Sequence, residues 1–288
     1  MNLQLGVAGA IVPSDPAGMT PQWARAMAAE GITALVTHLQ PPAEALVGDP
    51  SRRVRDVLGD AGIRVAQAAA FDPHLIHPDD AFRRSELERL PTCFEVARDL
   101  GAEMLITGCG SLHPDHRYGP DPRNHDPATR ERLVDSLRRV APLAEHHGVI
   151  LALECHVMTT LDTPAAIRDI IEAVDSPWVR PNFDPVNMIG GLPDLYDTAG
   201  AMERMWEALG SHYTQSAHVK DIIARPDFVL HLDEVAPGQG WLDLAAFFAI
   251  CQRLGEGAAL IVEHLPVDQV DAALQVVREA ASEAGVTL

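Results

Sequence analysis

The chain repeats one local pattern eight times: a short apolar segment, then a longer amphipathic segment. The apolar segments are typical of buried strands and the longer ones of surface helices. Glycines such as Gly31, Gly62 and Gly101 follow the helical segments, where a left-handed residue commonly ends a helix. Regular alternation without linkers predicts parallel strands joined by right-handed helical crossovers. Eight such units predict a (β/α)₈ TIM barrel, and we expect residues 1–288 to form a single TIM-barrel domain.

A doubly wound open sheet is the competing arrangement for the same alternation. To hold a dinucleotide, such a sheet needs a glycine-rich turn after its first strand. The segment Gly6-Val-Ala-Gly9 does not complete that motif. The barrel is therefore favoured.

The predicted elements follow in chain order. The strands are Leu3–Val7, Ile32–Thr37, Ile63–Phe71, Ala102–Thr107, Val149–Glu154, Trp178–Phe183, Ser216–Asp221 and Ala259–Glu263. The helices are Thr20–Glu30, Arg52–Asp60, Ala81–Leu100, Ala128–His147, Thr163–Val174, Asp197–Leu209, Leu242–Leu254 and Val267–Ala284.

Charge and cysteine spacing exclude several classes of protein. The 22 basic and 41 acidic residues give a net charge of -19, whereas nucleic-acid binding needs a basic surface. The four cysteines share no CxxC spacing, so neither a zinc ribbon nor a disulfide framework is indicated. We find no signal-peptide pattern and no apolar run long enough for a membrane span, which predicts a cytoplasmic protein without a membrane partner. The oligomeric state stays open, with a homo-oligomer as one alternative.

Four of the predicted strands carry side chains that bind metals at or beside their C-terminal ends: Glu154, Asp184, His218 and Glu263. Pro185 stops the second of these strands immediately after its aspartate. Each residue taken alone is often structural, but the C-terminal ends of neighbouring barrel strands meet at one rim. Three carboxylates and one imidazole suit Mn²⁺, Mg²⁺ or Co²⁺, with Zn²⁺ as a further alternative. The sequence therefore predicts one divalent-metal site.

The second half of the chain resembles the xylose isomerase-like barrel superfamily, in its sugar-phosphate isomerase/epimerase branch. The matching segments are Leu153-Glu154, Phe183-Asp184-Pro-Val-Asn187, His218-Val-Lys-Asp221, Pro237-Gly-Gln-Gly240 and Val262-Glu263-His264. The resemblance implies that Glu154, Asp184, His218 and Glu263 hold one divalent ion, for which we predict Mn²⁺. It also implies that the two glutamates face opposite sides of a substrate as acid and base. Ketose 3-epimerases usually carry a histidine where this chain has Asn187, and an arginine whose nearest counterpart is Arg225.

This resemblance implies a small-molecule carbohydrate substrate and a metal-dependent isomerase or epimerase. A divalent cation stabilises the enediolate formed when a carboxylate removes the proton next to a carbonyl. Loss of a β-substituent would instead give a lyase, either a dehydratase or a 3-keto-glycoside-cleaving enzyme, acting on a keto sugar or cyclitol. A barrel that binds sugar and metal without turnover is a third alternative.

Five further residues are candidates for contact with the substrate. Lys220 is the only lysine in the chain, and Asp221 follows it at the same strand end. Asn187 lies one turn after Asp184, and Trp241 follows a Pro-Gly-Gln-Gly turn. His113 lies in the long segment 108–127, whose length is typical of a lid or binding loop. No cluster of phosphate-binding residues follows the last two strands, which favours an unphosphorylated substrate.

Overall fold

A closed ring of parallel strands is the centre of the molecule. The computed structural model describes residues 2–40, 42–71 and 73–288. The strands are β1 Gln4–Val7, β2 Ala34–His38, β3 Arg64–Ala69, β4 Met104–Gly108, β5 Ile150–Glu154, β6 Val179–Pro181, β7 Ser216–Val219, β8 Asp221–Ala224, β9 Leu232–Val235 and β10 Ala259–Val262. Eight of them form one sheet in the order β6-β5-β4-β3-β2-β1-β10-β7. A parallel bridge between Phe183 and Ala217 joins the two end strands, so the sheet closes.

Helices connect the strands around this ring. They are α1 Pro21–Ala29, α2 Asp49–Asp60, α3 Asp80–Leu87, α4 Leu90–Asp99, α5 Pro127–His147, α6 Pro164–Val174, α7 Pro185–Met188, α8 Leu192–Tyr196, α9 Thr198–Leu209, α10 Leu244–Arg253 and α11 Val267–Glu283. Thr20, Thr163, Asp197 and Asp243 accept backbone hydrogen bonds as helix N-caps, which fixes where four of the helices begin. The prediction of a (β/α)₈ TIM barrel is confirmed.

Two hydrophobic clusters hold the barrel together. The larger cluster lies between the sheet and the helices. The smaller one fills the interior and consists mainly of small or slender side chains such as Ala34, Ala66, Ala152 and Ala259. Gly6 belongs to the same crowded region, where an added Cβ would lie 3.2 Å from the Cβ of Ala34. Small residues here leave room for polar groups at the C-terminal end of the barrel.

The predicted single helix Ala81–Leu100 is wrong, because the chain forms two helices there. The first ends at Leu87 and the second begins at Leu90, with Pro91 in its first turn. Proline has no N–H to donate to the carbonyl of Leu87, so one continuous helix would lack that bond.

The predicted seventh strand is also longer than the observed one. The observed strand ends at Val219, and Asp221 begins an antiparallel hairpin with the segment Leu232–Val235. This hairpin carries Glu234 to the C-terminal end of the barrel.

Among the residues described, no helix combines the length and apolarity needed to cross a bilayer. That residues 1–288 form a single domain stays a prediction.

Candidate metal centre

The four predicted metal ligands meet at the C-terminal end of the barrel. Glu154 is the last residue of β5, Asp184 follows the bridge at Phe183, His218 lies in β7 and Glu263 directly follows β10. All four side chains are buried, and one ligand atom from each lies within 4.8 Å of the others. Closure of the barrel thus brings together residues that are far apart in the sequence.

Local structure fixes the orientation of Asp184. Its Oδ1 accepts a hydrogen bond of 3.3 Å from the backbone N–H of Asn187 and caps the short helix α7. Its Oδ2 points into the cluster, where Lys220 Nζ lies 2.8 Å away. One oxygen therefore caps the helix and the other faces the charged cluster.

A glutamine inside the barrel fixes the imidazole of His218. The Gln67 amide donates from Nε2 to Asn182 Oδ1 (3.0 Å) and Ser216 Oγ (2.9 Å). Its Oε1 is therefore the acceptor, and it lies 3.1 Å from His218 Nε2, which must carry the proton. His218 Nδ1 then faces the cluster, 2.8 Å from Glu263 Oε1. Metal-binding histidines are commonly oriented in this way through their second ring nitrogen.

Lys220 lies against the same carboxylates rather than in open solvent. Its side chain is 1% exposed, and Nζ is 2.8 Å from Asp184 Oδ2 and 2.9 Å from Glu263 Oε1. The ammonium also donates to Asn187 Oδ1 at 3.1 Å. Burial opposes the charge, but the surrounding carboxylates raise the pKa of Lys220 well above its usual value. In this position the ammonium of Lys220 neutralises part of the charge of the acidic cluster. The predicted contact between Lys220 and substrate is therefore not supported.

The two glutamates have different electrostatic surroundings. Burial raises the pKa of Glu154, and the ammonium of Lys220 offsets this only in part. Burial acts in the same direction on Glu263, but His218 and Lys220 outweigh it and hold the pKa of Glu263 well below its usual value. Burial would lower the pKa of His218, whereas the charge of Glu263 and the contacts with Asp184 raise it to about 10.

A divalent metal fits this set of residues. Glu154, Asp184, His218 and Glu263 each direct one ligand atom into the cluster, and these four atoms lie within 4.8 Å of one another. Two of the carboxylates, those of Asp184 and Glu263, face the ammonium of Lys220 there. Carboxylates with one imidazole suit several divalent metals, and the four residues would hold such a cation.

The cluster opens into a cavity of about 420 Å³. Three of the predicted ligands, Glu154, His218 and Glu263, line this cavity. Its other polar side chains are His38, Gln67, Tyr118, His156, Asn187, Glu234 and His264. Its apolar wall includes Phe71 and Ile106. A small, largely preformed cavity with a few converging polar groups is typical of a site for a small molecule.

His264 contributes an unusual backbone conformation to this cavity. Its φ of 59° lies in the left-handed region, which is uncommon for a residue other than glycine. Its Nδ1 lies 3.1 Å from Glu234 Oε1 on the hairpin. Such conformations persist where the surrounding structure fixes them, often at functional sites. His264 directly follows Glu263, so this conformation lies at the end of the strand that carries Glu263.

Asn187 is the one predicted substrate-binding residue that lies on the wall of the cavity. Asp221 does not point there. Its carboxylate accepts hydrogen bonds of 2.8 to 2.9 Å from the backbone N–H groups of Ile222, Gly238, Gly240 and Leu242. A carboxylate saturated in this way holds the loop after the hairpin, and this geometry does not support the prediction that Asp221 binds substrate.

Trp241 and His113 also lie elsewhere. Trp241 is 50% exposed and stacks on Tyr196, with ring centroids 5.9 Å apart. His113 lines a separate surface pocket with His74 and His77. Their predicted contacts with substrate are therefore not supported by this geometry.

Sequence reasoning missed several residues of the cavity. His38 ends β2 and His156 follows Glu154 by two residues, so both lie at strand ends that the alternation already marked. Glu234 lies on a hairpin in a segment for which the sequence predicts no element, and no local signal places it at the site.

The chain belongs to the xylose isomerase-like TIM barrel family. The profile of that family matches residues 21–280, which is most of the chain.

Individual relatives are more distant. An inosose dehydratase from Geobacillus kaustophilus (strain HTA426) is 26% identical over 207 residues, covering 66% of this chain and 64% of the relative. The match thus spans less than two thirds of that relative's length.

Two solved structures share the fold. A xylose isomerase-like TIM barrel protein from Mycobacterium smegmatis, in complex with magnesium, has a TM-score of 0.71 at 17% identity and covers 98% of this chain and 96% of its own. A 3-keto-D-glucoside 4-epimerase from E. coli, in its apo form, has a TM-score of 0.69 at 16% identity and covers 99% of each chain.

Proposed function

We propose that this protein is a divalent-metal-dependent isomerase or epimerase that acts on a keto sugar or a related polyol. The observation that carries the proposal is the position of two buried glutamates, Glu154 and Glu263, on the wall of one cavity beside the cluster of ligand atoms. Membership of the xylose isomerase-like family supports it. The preferred ion is Mn²⁺, with Mg²⁺, Co²⁺ and Zn²⁺ as alternatives.

The two carboxylates divide the proton transfer in this proposal. A divalent cation held by Glu154, Asp184, His218 and Glu263 would supply Lewis-acid polarisation of the substrate carbonyl. One glutamate removes the proton from the carbon next to the carbonyl, and its conjugate acid holds that proton. The other glutamate starts as the carboxylic acid and gives its proton to the opposite face, so the configuration at that carbon is inverted and the two residues end with exchanged protonation states.

Other side chains of the cavity would bind the sugar. Asn187, His156 and His38 offer hydrogen-bond donors and acceptors for hydroxyl groups. Phe71 and Ile106 offer apolar surface for the C–H face of the ring. Within residues 2–40, 42–71 and 73–288, no arginine or lysine lines this cavity, which is consistent with an unphosphorylated substrate.

A lyase is the second candidate, and the inosose dehydratase relative favours it. The first step is the same removal of a proton next to the carbonyl. The C–O bond at the neighbouring carbon then breaks, and the second glutamic acid gives its proton to the departing oxygen. Water leaves from a free hydroxyl group, and an alcohol leaves from a glycoside.

A product screen by mass spectrometry separates the candidates. The protein, stripped of metal and then supplied with Mn²⁺, is incubated in deuterated water with keto sugars, 3-keto-glycosides and keto cyclitols. An epimerase yields an isomer with deuterium on the inverted carbon, and a lyase yields products that have lost water or an alcohol. Glu263→Gln is the matched control. Absence of both exchange and conversion with every metal and substrate would contradict the proposed function.

A further inference from the structure

Gly108 lies beside one of the two glutamates. It is the last residue of β4 and the register partner of Glu154 on β5. Both residues therefore lie at the same height of the barrel rim.

The side chain of Tyr118 occupies the space that Gly108 leaves open. A Cβ added to Gly108 would overlap the Tyr118 hydroxyl and lie 2.9 Å from its Cζ. Tyr118 lines the same cavity as Glu154 and contacts Phe71 edge-on, with ring centroids 6.5 Å apart. The missing side chain of Gly108 thus lets a phenol reach the strand end that carries Glu154.

The loop that carries Tyr118 is fixed by buried hydrogen bonds. Ser111 Oγ donates to the carbonyl of Gly119 at 2.6 Å, next to Tyr118. The fully buried Asn124 donates to Ser111 Oγ and to the carbonyl of Met158, both at 2.8 Å. These bonds connect the loop to itself and to the segment after β5. Tyr118 is therefore held in place before any substrate arrives.

Burial and the charge of Glu154 both raise the pKa of Tyr118, which favours the neutral phenol. A neutral phenol donates one hydrogen bond, and an ionised carboxylate can only accept.

We propose that Tyr118 is a positioning residue for Glu154: its hydroxyl donates to the carboxylate, and Gly108 is required because a side chain there would displace the phenol. The proposal rests on the proposed proton transfer for its consequence, but the contact can be tested without turnover. A carboxylate that transfers a proton must be held close to its productive orientation. Loss of Tyr118 would therefore reduce kcat more than it changes KM.

A double-mutant cycle tests this relationship. Tyr118→Phe removes only the hydroxyl, and Gly108→Ala displaces it while the tyrosine remains. Gly108 does not have a left-handed φ, so its backbone accommodates alanine. We expect each single variant to slow deuterium exchange at the substrate carbon about tenfold to a hundredfold. The double variant should be no slower than the slower single variant, because both changes remove one contact. The affinity for Mn²⁺ should stay within about threefold.

An infrared difference spectrum gives a readout without turnover. We expect Tyr118→Phe and Gly108→Ala to shift the same carboxylate stretching band, which Glu154→Gln identifies as that of Glu154. An unshifted band, or rate losses that multiply in the double variant, would overturn the proposal. If the parent protein turned over none of the sugars, the proposed function would fail while the bands still decided for or against Tyr118. If Gly108→Ala did not fold, the Glu154 carboxylate band in Tyr118→Phe would test the contact by itself: a shifted band would support the proposal and an unshifted one would overturn it.

Discussion

His218 and Gln67 are joined across the barrel by a hydrogen bond of 3.1 Å between Nε2 and Oε1, although 151 residues separate them in the chain. Because Gln67 Nε2 donates its two hydrogens to Asn182 and Ser216, the Gln67 oxygen faces the imidazole and accepts a hydrogen bond from it. This bond directs His218 Nδ1 toward the carboxylates. The proposed metal site therefore depends on a residue that does not belong to the predicted ligand set.

Replacing Gln67 by leucine should weaken Mn²⁺ binding about 10-fold to 100-fold, the usual effect of losing the partner that orients a ligand histidine. Titration calorimetry on metal-free protein measures this. Thr214→Val is the matched control, since Thr214 Oγ1 bonds to Asn182 Oδ1 at 3.3 Å and does not touch His218. Equal affinities for Gln67→Leu and the parent protein would show that the imidazole needs no such partner.

Asp184→Ala should abolish both metal retention and activity while the fold survives. The substitution removes the Oδ2 that faces the cluster and the N-cap of a four-residue helix, and neither belongs to the hydrophobic core. Metal content after gel filtration, turnover and the circular dichroism spectrum are compared with those of the parent protein. Asn187→Ala, which alters a neighbour on the cavity wall, should keep its metal. Full activity in Asp184→Ala, or in parent protein after exhaustive chelation, would exclude the proposed metal site.

Lys220→Met should destabilise the metal-free protein by about 3–5 kcal/mol, because it leaves buried Asp184 and Glu263 without their compensating charge. The loss should be smaller with Mn²⁺ bound, since the cation replaces the ammonium. Urea unfolding of chelated and loaded protein measures both values.

A surface ion pair provides the control for Lys220. Arg253→Met breaks a pair with Glu203 in which both side chains are about half exposed, and it should cost at most about 1 kcal/mol with or without metal. An equal loss in loaded and chelated Lys220→Met would mean that Lys220 does not share the charge balance of the site.

Glu154→Gln and Glu263→Gln should each lower turnover about a hundredfold or more at saturating Mn²⁺, because an amide cannot act as a base. The amide oxygen is still a possible ligand, so we expect metal affinity to suffer less than turnover. Glu234→Gln is the control, since it alters a third carboxylate of the same cavity. Near-normal turnover in both variants with metal bound would refute the two-carboxylate mechanism.

His74 should make the protein less stable in mild acid. Burial lowers the pKa of His74, while its Nε2 lies 2.7 Å from the carbonyl oxygen of Ser111. The unfolded chain binds a proton near pH 6.5 and the folded protein binds it only at lower pH. This contribution to stability is therefore complete above about pH 6.5 and declines as the pH falls below it.

The variant His74→Gln tests this pH dependence, since glutamine can still donate to Ser111. Between pH 7 and pH 5 its free energy of unfolding should fall less steeply than that of the parent protein. Identical slopes in urea unfolding would show that His74 takes up no proton on unfolding.

Much of the fold follows from local patterns. The apolar segments and the glycines after the helices predicted the barrel, because periodicity and chain-breaking residues act within a few positions. The same logic would have divided the segment 81–100, since Pro91 is visible in the sequence. Glu154, Asp184, His218 and Glu263 could be predicted together because parallel strands present their C-terminal ends at one rim.

Contacts between distant segments were decided by tertiary structure alone. Nothing local to Gln67 indicates that barrel closure places it opposite His218, and nothing local to Tyr118 indicates that its hydroxyl fits above Gly108. The sequence marked Lys220 as unusual, but only the structure shows that its ammonium is buried against two carboxylates. The sequence by itself determined which strand ends carry polar groups, because that is a property of neighbouring residues. Which of those groups touch depends on how the closed sheet and its loops fill space, and that is a property of the whole chain.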